Sequence, residues 1–111
     1  MNKLKPVITK KMQELEKLCL KYNVNTLYVF GSVTGNSFSK TSDIDFLVNF
    51  EDIPLLDYAD YFFDLMSNLE DLFERKIDLI TEKSLTNPYL IKSINQSKQL
   101  VYDKRNQKIS A

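Results

Sequence analysis

The chain has 111 residues, enough for one domain around a single core. Its 43% hydrophobic and 27% charged content is that of an ordinary water-soluble protein, and no apolar run approaches the roughly 20 residues of a membrane span. Net charge is zero and histidine is absent, which excludes a Ser-His-Asp triad, Cys-His pairs and the usual zinc sites, and leaves carboxylates, hydroxyls, lysines or an oxygen-bound metal for any catalysis.

The zero net charge hides a pattern. Residues 1–42 carry seven Lys against two Glu, and residues 83–111 carry six Lys or Arg against one Asp, a net +5 in each case. Between them, residues 43–82 hold twelve carboxylates against Arg75 and Lys76, a net −10. A nucleic-acid binder would carry a basic excess, so direct nucleic-acid binding is not expected; an acidic middle suits a cation, a basic partner, or both. The N-terminus leads into an amphipathic pattern rather than an apolar signal core, so export is not expected and a cytoplasmic location fits.

In chain order, the spacing predicts a helix over 7–22, with Ile8, Met12, Leu15, Leu18, Cys19 and Tyr22 recurring every three or four residues. Cys19 lies on its apolar face and reads as core, since no His or second Cys accompanies it. Residues 26–30 are a short β-rich run. Gly31 and Gly35, the only two glycines, follow in a polar, turn-rich stretch that reaches Thr41. Residues 43–50 predict a second strand, with Ile44, Phe46, Val48 and Phe50 on one face and Asp43, Asp45, Leu47 and Asn49 on the other.

After a break at Pro54, a helix is expected over 57–75 with three stripes. Ala59, Phe62, Phe63, Met66, Leu69 and Phe73 form the expected core face. Asp57, Asp60, Asp64, Asp71 and Glu74 form an acidic stripe, and Tyr58, Tyr61, Leu65 and Leu72 a second apolar one. Residues 76–81 predict a third strand in which Asp78 is the one polar interruption of Ile-Asp-Leu-Ile. A short helix over 89–96 and an edge strand over 99–102 complete a single domain spanning 1–103, and residues 104–111 are expected to be a mobile tail. The order predicts an α/β or α+β fold, a small mixed sheet covered by helices.

Asp43 and Asp45 are two apart on a strand, so their side chains leave one face about 6.5–7 Å apart. That spacing lets two carboxylates converge on one Mg²⁺ or bridge two ions about 3.5–4 Å apart. Taken alone, the pair would equally suit Asp43 ending a turn and Asp45 facing solvent. Gly31 at the end of an apolar strand lets backbone approach a phosphate, and Ser32 offers a hydroxyl and an N–H. The combination is more specific than its parts: strand, Gly-Ser, ten residues, Asp-x-Asp opening a second strand, and Asp78 on a third after a helix.

That combination resembles the nucleotidyltransferase superfamily of DNA polymerase beta. Within it, the chain is similar to the minimal nucleotidyltransferases (MNT), a class whose members act as antitoxins beside HEPN-domain toxins. Gly31, Ser32, Asp43 and Asp45 meet the signature G-S-x10-D-x-D with its gap intact, Asp78 falls on the third family carboxylate, and the likeness runs over about residues 15–102. The resemblance implies a polymerase beta-like fold, with Gly31 and Ser32 cradling the phosphates of ATP. It implies two Mg²⁺ ions: one on Asp43 and Asp45 at the β- and γ-phosphates, and one on all three aspartates at the attacking hydroxyl. Asp78 would also serve as general base. The run Val33-Thr34-Gly35-Asn36 lacks the arginine that many such proteins carry there; Lys40, Arg75 and Lys76 are the candidates to take its place.

Larger relatives carry a second domain that shapes the acceptor site. Here the acceptor is expected on a partner, and the resemblance implies a HEPN toxin silenced by AMP on a tyrosine hydroxyl. Two alternatives stand beside it: an antitoxin that neutralises by binding alone, and a small-molecule nucleotidyltransferase. The acidic stripe and the second apolar stripe of helix 57–75 are the candidate contact surfaces.

Overall fold

A computed structural model describes residues 4–106. It contains α1 (Pro6–Thr9), α2 (Met12–Lys21), β1 (Val24–Phe30), β2 (Ile44–Phe50), α3 (Leu55–Phe73), β3 (Ile77–Thr81), α4 (Pro88–Ser97) and β4 (Gln99–Asp103). Of the expected tail, Lys104–Asn106 form a 3-10 turn, and 107–111 lie outside the described residues. Among the described residues, no helix is long and apolar enough to cross a membrane.

The expected first helix is two. Lys11 leaves helical geometry, and its N–H bonds the carbonyl of Ile8 rather than one a full turn back. This tightened turn lets Ile8 on α1 and Leu15 and Cys19 on α2 enter the same core. Cys19 is buried, as its place on the apolar face implies. Burial, with Glu16 adding to it, pushes its thiol up to about 12, so it stays protonated and unreactive at neutral pH.

The four strands form one mixed sheet in the order β3-β2-β1-β4. β1 pairs antiparallel with β2 and β4; β2 and β3, joined through α3, run parallel. One face carries Leu27, Val29, Phe46, Val48 and Leu79 into the main core beneath α2 and α3. The other holds a smaller cluster of Phe30, Leu47 and Ile94, the last from α4, with Tyr28, Ile80 and Leu85 packed around it. Both faces of β2 are therefore covered in its middle, and its polar residue Asp45 sits at the end where cover gives out.

On α3, the two expected apolar stripes are one broad face. Leu65, Leu69 and Phe73 are buried, with Tyr58, Tyr61, Phe62, Met66 and Leu72 partly buried against the same core. Tyr22–Tyr61 and Phe50–Tyr58 ring contacts, at 6.0 and 5.4 Å between centroids, tie this face to α2 and β2. Ala59 and Phe63, expected in the core, are exposed. At 100° per residue Phe63 points about 160° away from Leu65, so a face centred on Leu65 and Leu69 cannot include it.

Candidate active site

The site is built where β1 ends. Phe30 is extended, and Gly31 then turns with φ +73°, a conformation that L side chains rarely adopt. A side chain there would also collide with the Asp45 carboxylate, because Phe30 lies opposite Asp45 in the β1–β2 pair. Gly31 is thus required twice, by its own backbone and by the carboxylate beside it. Gly31–Thr34 make one 3-10 turn. The Thr34 hydroxyl donates to the Gly31 carbonyl at 2.7 Å, and the Gly35 N–H to the Ser32 carbonyl at 3.1 Å. Val33 anchors the turn in the core, while Ser32 stays half-exposed.

The chain then crosses to β2 in a loop that Arg75 holds. Its guanidinium donates to the carbonyls of Ser39 at 3.2 Å and Ser42 at 2.9 Å, and it stacks on Phe38 at 4.8 Å. The Ser39 N–H and the Ser42 hydroxyl close the loop at 3.0 Å. Asp43 follows directly, and the Ile44 N–H bonds the Lys76 carbonyl at 3.2 Å to start the parallel β2–β3 pair.

In that register Asp45 stands opposite Asp78. Neighbouring strands lie about 4.8 Å apart, so the two carboxyl groups share one end of one face. Asp43 and Asp78 are exposed and Asp45 is half-buried. Burial first, then the charges of Asp78 and Asp43, push the Asp45 carboxyl up to about 6. From the other side, α4 brings Ser97, whose hydroxyl accepts the Gly31 N–H at 3.4 Å and donates to the Ser93 carbonyl at 3.4 Å. Next to it, the Lys98 ammonium lies 4.6 Å from the centre of the Tyr28 ring.

All five residues expected at the site, Gly31, Ser32, Asp43, Asp45 and Asp78, fall within this one region. Of the three cations considered for the missing arginine, Arg75 is occupied by the loop, while Lys40 and Lys76 are exposed. Arg75 bonds the carbonyl of Ser42, the residue before Asp43, and Ser97 is a contact that no local pattern signals, being 66 residues from Gly31. Among the described residues, the ion pairs Lys104–Glu51 and Arg105–Asp103 lie elsewhere, and no cationic side chain pairs with Asp43, Asp45 or Asp78.

These features fit a hard divalent cation. The donors are all oxygen, the charges are alike and close, and Asp45 resists ionising until something offsets its neighbours. Among the described residues no three acidic or His/Cys side chains already converge at ligand geometry. Side-chain rotation at the exposed Asp43 and Asp78 would be part of binding.

Residues 13–107 match the family described as Polymerase beta, Nucleotidyltransferase. A relative from Methanocaldococcus jannaschii, named "Putative protein adenylyltransferase", is 39% identical over 92% of this chain and 96% of its own. The fold is similar to that of a chain in a toxin–antitoxin crystal structure with AMP-PNP, with TM-score 0.65 and 18% identity over 88% of this chain and 78% of that one. It is also similar to a chain in the complex of a tri-AMPylated Shewanella oneidensis HEPN toxin with an MNT antitoxin. There the TM-score is 0.60 and identity 16% over 92% of this chain and 77% of that one.

Proposed function

Because the chain belongs to the polymerase beta nucleotidyltransferase family and is a nucleotidyltransferase, we propose that it transfers AMP from ATP to a tyrosine hydroxyl of a HEPN-type toxin and acts as that toxin's antitoxin. The observation that carries the reading is the Asp45–Asp78 pair, set across two parallel strands with Asp43 beside it and Gly31 packed on the Asp45 carboxylate. The relative named as a protein adenylyltransferase supports the reaction type, and the HEPN–MNT complex of similar fold supports the partner class.

In this reading Asp43 and Asp45 would hold one Mg²⁺ and all three aspartates a second, and bound there the ions would supply neutralisation of phosphate charge and a lowered pKa for the attacking hydroxyl. The chain's own residues do the rest. The bare backbone of Gly31 lets the triphosphate approach, and the Ser32 hydroxyl hydrogen-bonds it. Arg75 keeps the loop ahead of Asp43 in place, which fixes the carboxylates relative to the phosphates. Asp78 takes the proton of the tyrosine hydroxyl. The hydroxyl oxygen forms a bond to the α-phosphorus, and the bond from that phosphorus to the bridging oxygen breaks. The electron pair leaves on pyrophosphate.

The test is an assay with the HEPN partner, Mg²⁺ and ATP labelled on its α-phosphate. Label is expected on the partner with the wild-type chain and none with Asp43→Asn or Asp45→Asn. Equal labelling by these variants, or a neutralised partner that stays unlabelled, contradicts the proposal.

A further inference from the structure

The register of the sheet lays one row of side chains across the face that holds the carboxylates. Phe30 stands opposite Asp45, and Asp45 opposite Asp78. On the other side of β1, Val29 pairs with Gln99, so one step further along that antiparallel pair Lys98 is level with Phe30. The hydrogen bond between Gly31 and Ser97 belongs to the next pair in the series and holds the two segments together there. Phe30 lies in the small cluster on the side of the sheet away from α3, and alternation puts Asp45 beside Leu47 and Asp78 beside Ile80 on that same face. Lys98 enters this face too, since its ammonium sits 4.6 Å from the ring centre of Tyr28, which packs on the cluster. The row therefore reads cation, phenylalanine, carboxylate, carboxylate, across about 14 Å of sheet.

Lys98 is half-buried, and among the described residues no carboxylate pairs with it. A half-buried ammonium without a counter-ion is costly to keep, and a bound anion offsets that cost. Its contact with the half-buried Tyr28 ring is weak where water reaches it and is readily exchanged for charge-assisted hydrogen bonds. The Gly31–Ser32 turn at the end of β1 lies between Lys98 on one side and Asp45 and Asp78 on the other. A triphosphate laid along that turn with its reacting phosphorus at the aspartates points its far end toward β4 and Lys98. The other cations are placed differently. Arg75 is taken by the carbonyls of Ser39 and Ser42. Lys76, one step before Ile77, is level with Asp43 and so stands on the β3 side, with Asp78 and the acceptor. Three carboxylates and a triphosphate carry more negative charge than two divalent ions offset, which leaves a role for a further cation.

We propose that Lys98 binds the terminal phosphate of the nucleoside triphosphate and so makes the site prefer a triphosphate to a diphosphate. The inference rests on the reading that the chain uses ATP, and it supplies the positive charge that Val33-Thr34-Gly35-Asn36 lacks. Ser97 keeps the end of α4 on the Gly31 turn, and the flexible four-carbon stem of Lys98 carries the ammonium from the Tyr28 ring to the phosphate. During transfer the same ammonium meets the charge that builds on the departing pyrophosphate.

The test is calorimetric binding of Mg–ATP and Mg–ADP to the chain alone, with the melting temperature measured beside it. The wild type is expected to bind ATP more tightly than ADP. Lys98→Gln is expected to weaken ATP binding by about tenfold or more while ADP binding changes by less than about twofold. Lys98→Arg keeps the charge and is expected to retain most of the preference, which separates a lost phosphate contact from a folding defect. Lys40→Gln and Lys76→Gln are expected to retain it as well. Lys98→Gln that leaves ATP binding unchanged overturns the assignment. So does Lys98→Gln that weakens ATP and ADP alike, since Lys98 then only supports the turn, and so does a preference that Lys40→Gln or Lys76→Gln abolishes while Lys98→Gln does not. A preference that depends on Lys98, in a chain that leaves the HEPN partner unlabelled, contradicts the transfer reaction and leaves the Lys98 assignment standing. A wild-type chain that binds neither nucleotide removes both.

Discussion

In the unfolded chain the Asp45 carboxyl titrates near 3.8; in the fold, burial and then the charges of Asp78 and Asp43 raise it to about 6. The native state therefore holds this proton more tightly than the unfolded state. By linkage, the contribution of Asp45 to stability falls as pH rises from about 4 to about 6 and stays low above that. Asp45→Asn removes the repulsion. In metal-free buffer at pH 7.5 the variant should melt above the wild type, and the gap should close as pH falls below about 4. A variant no more stable than wild type at pH 7.5 contradicts the charge argument. The same substitution should cut transfer by roughly a thousandfold, about 4 kcal/mol of transition-state stabilisation. Stability rising while activity falls marks a residue kept for chemistry rather than folding.

Arg75 belongs to the same scale. It donates to two carbonyls ahead of Asp43 and stacks on Phe38. Its Nε is buried without a hydrogen-bond partner, a cost set against the two carbonyl bonds and the Phe38 contact. Arg75→Ala should cost about 1.5–3 kcal/mol in chemical denaturation. If its role is to set Asp43, the KM for Mg–ATP should rise as well. Arg75→Lys should restore it only in part, because an ammonium can take over the two carbonyls that one guanidinium nitrogen bonds but not the planar contact with Phe38. A variant that loses stability with an unchanged KM makes Arg75 a folding residue only.

At the scale of elements, helix ends explain what the sequence made legible and what it hid. Asn23, with φ 54°, stops α2 in the left-handed region that Asn tolerates, and Asn23-Val24-Asn25 reads as an end. α3 stops in the same way at Glu74, with φ 52°. Glutamate favours helices and gives no stop signal, so the pattern points on to Arg75. Glu74 is also an acid at a helix C-terminus, against the dipole. Glu74→Gly should therefore raise stability by about 1 kcal/mol, read from the urea midpoint at constant slope. An unchanged or lower midpoint would mean that the Glu74 side chain holds a contact worth as much. The face of α3 was only half legible for a related reason. Tyr58, Tyr61 and Leu65 recur at helical spacing as clearly as Ala59, Phe62 and Phe63 do. The choice between them is made by α2 and β2, whose Tyr22 and Phe50 receive the tyrosines.

Across the whole molecule, the site was the most legible part, because its chemistry fixes spacing. Gly31, Ser32, Asp43 and Asp45 lie close in sequence, and Asp78 stands out as the lone carboxylate in an apolar strand. Tertiary contacts decided the rest. The Ser97 hydroxyl on Gly31 and the Arg75 clamp join segments tens of residues apart, with no periodicity to announce them. Under the proposed function, the chain supplies carboxylates and backbone, while the acceptor arrives on another protein.

The mass spectrum of the HEPN partner, purified after co-expression with the wild-type chain and with Asp45→Asn, tests that description most directly. AMP adducts mapping to a tyrosine are expected with the wild type and absent with Asp45→Asn. A partner that carries no adduct yet is fully neutralised by the wild-type chain would contradict the account and make this protein an antitoxin by binding alone.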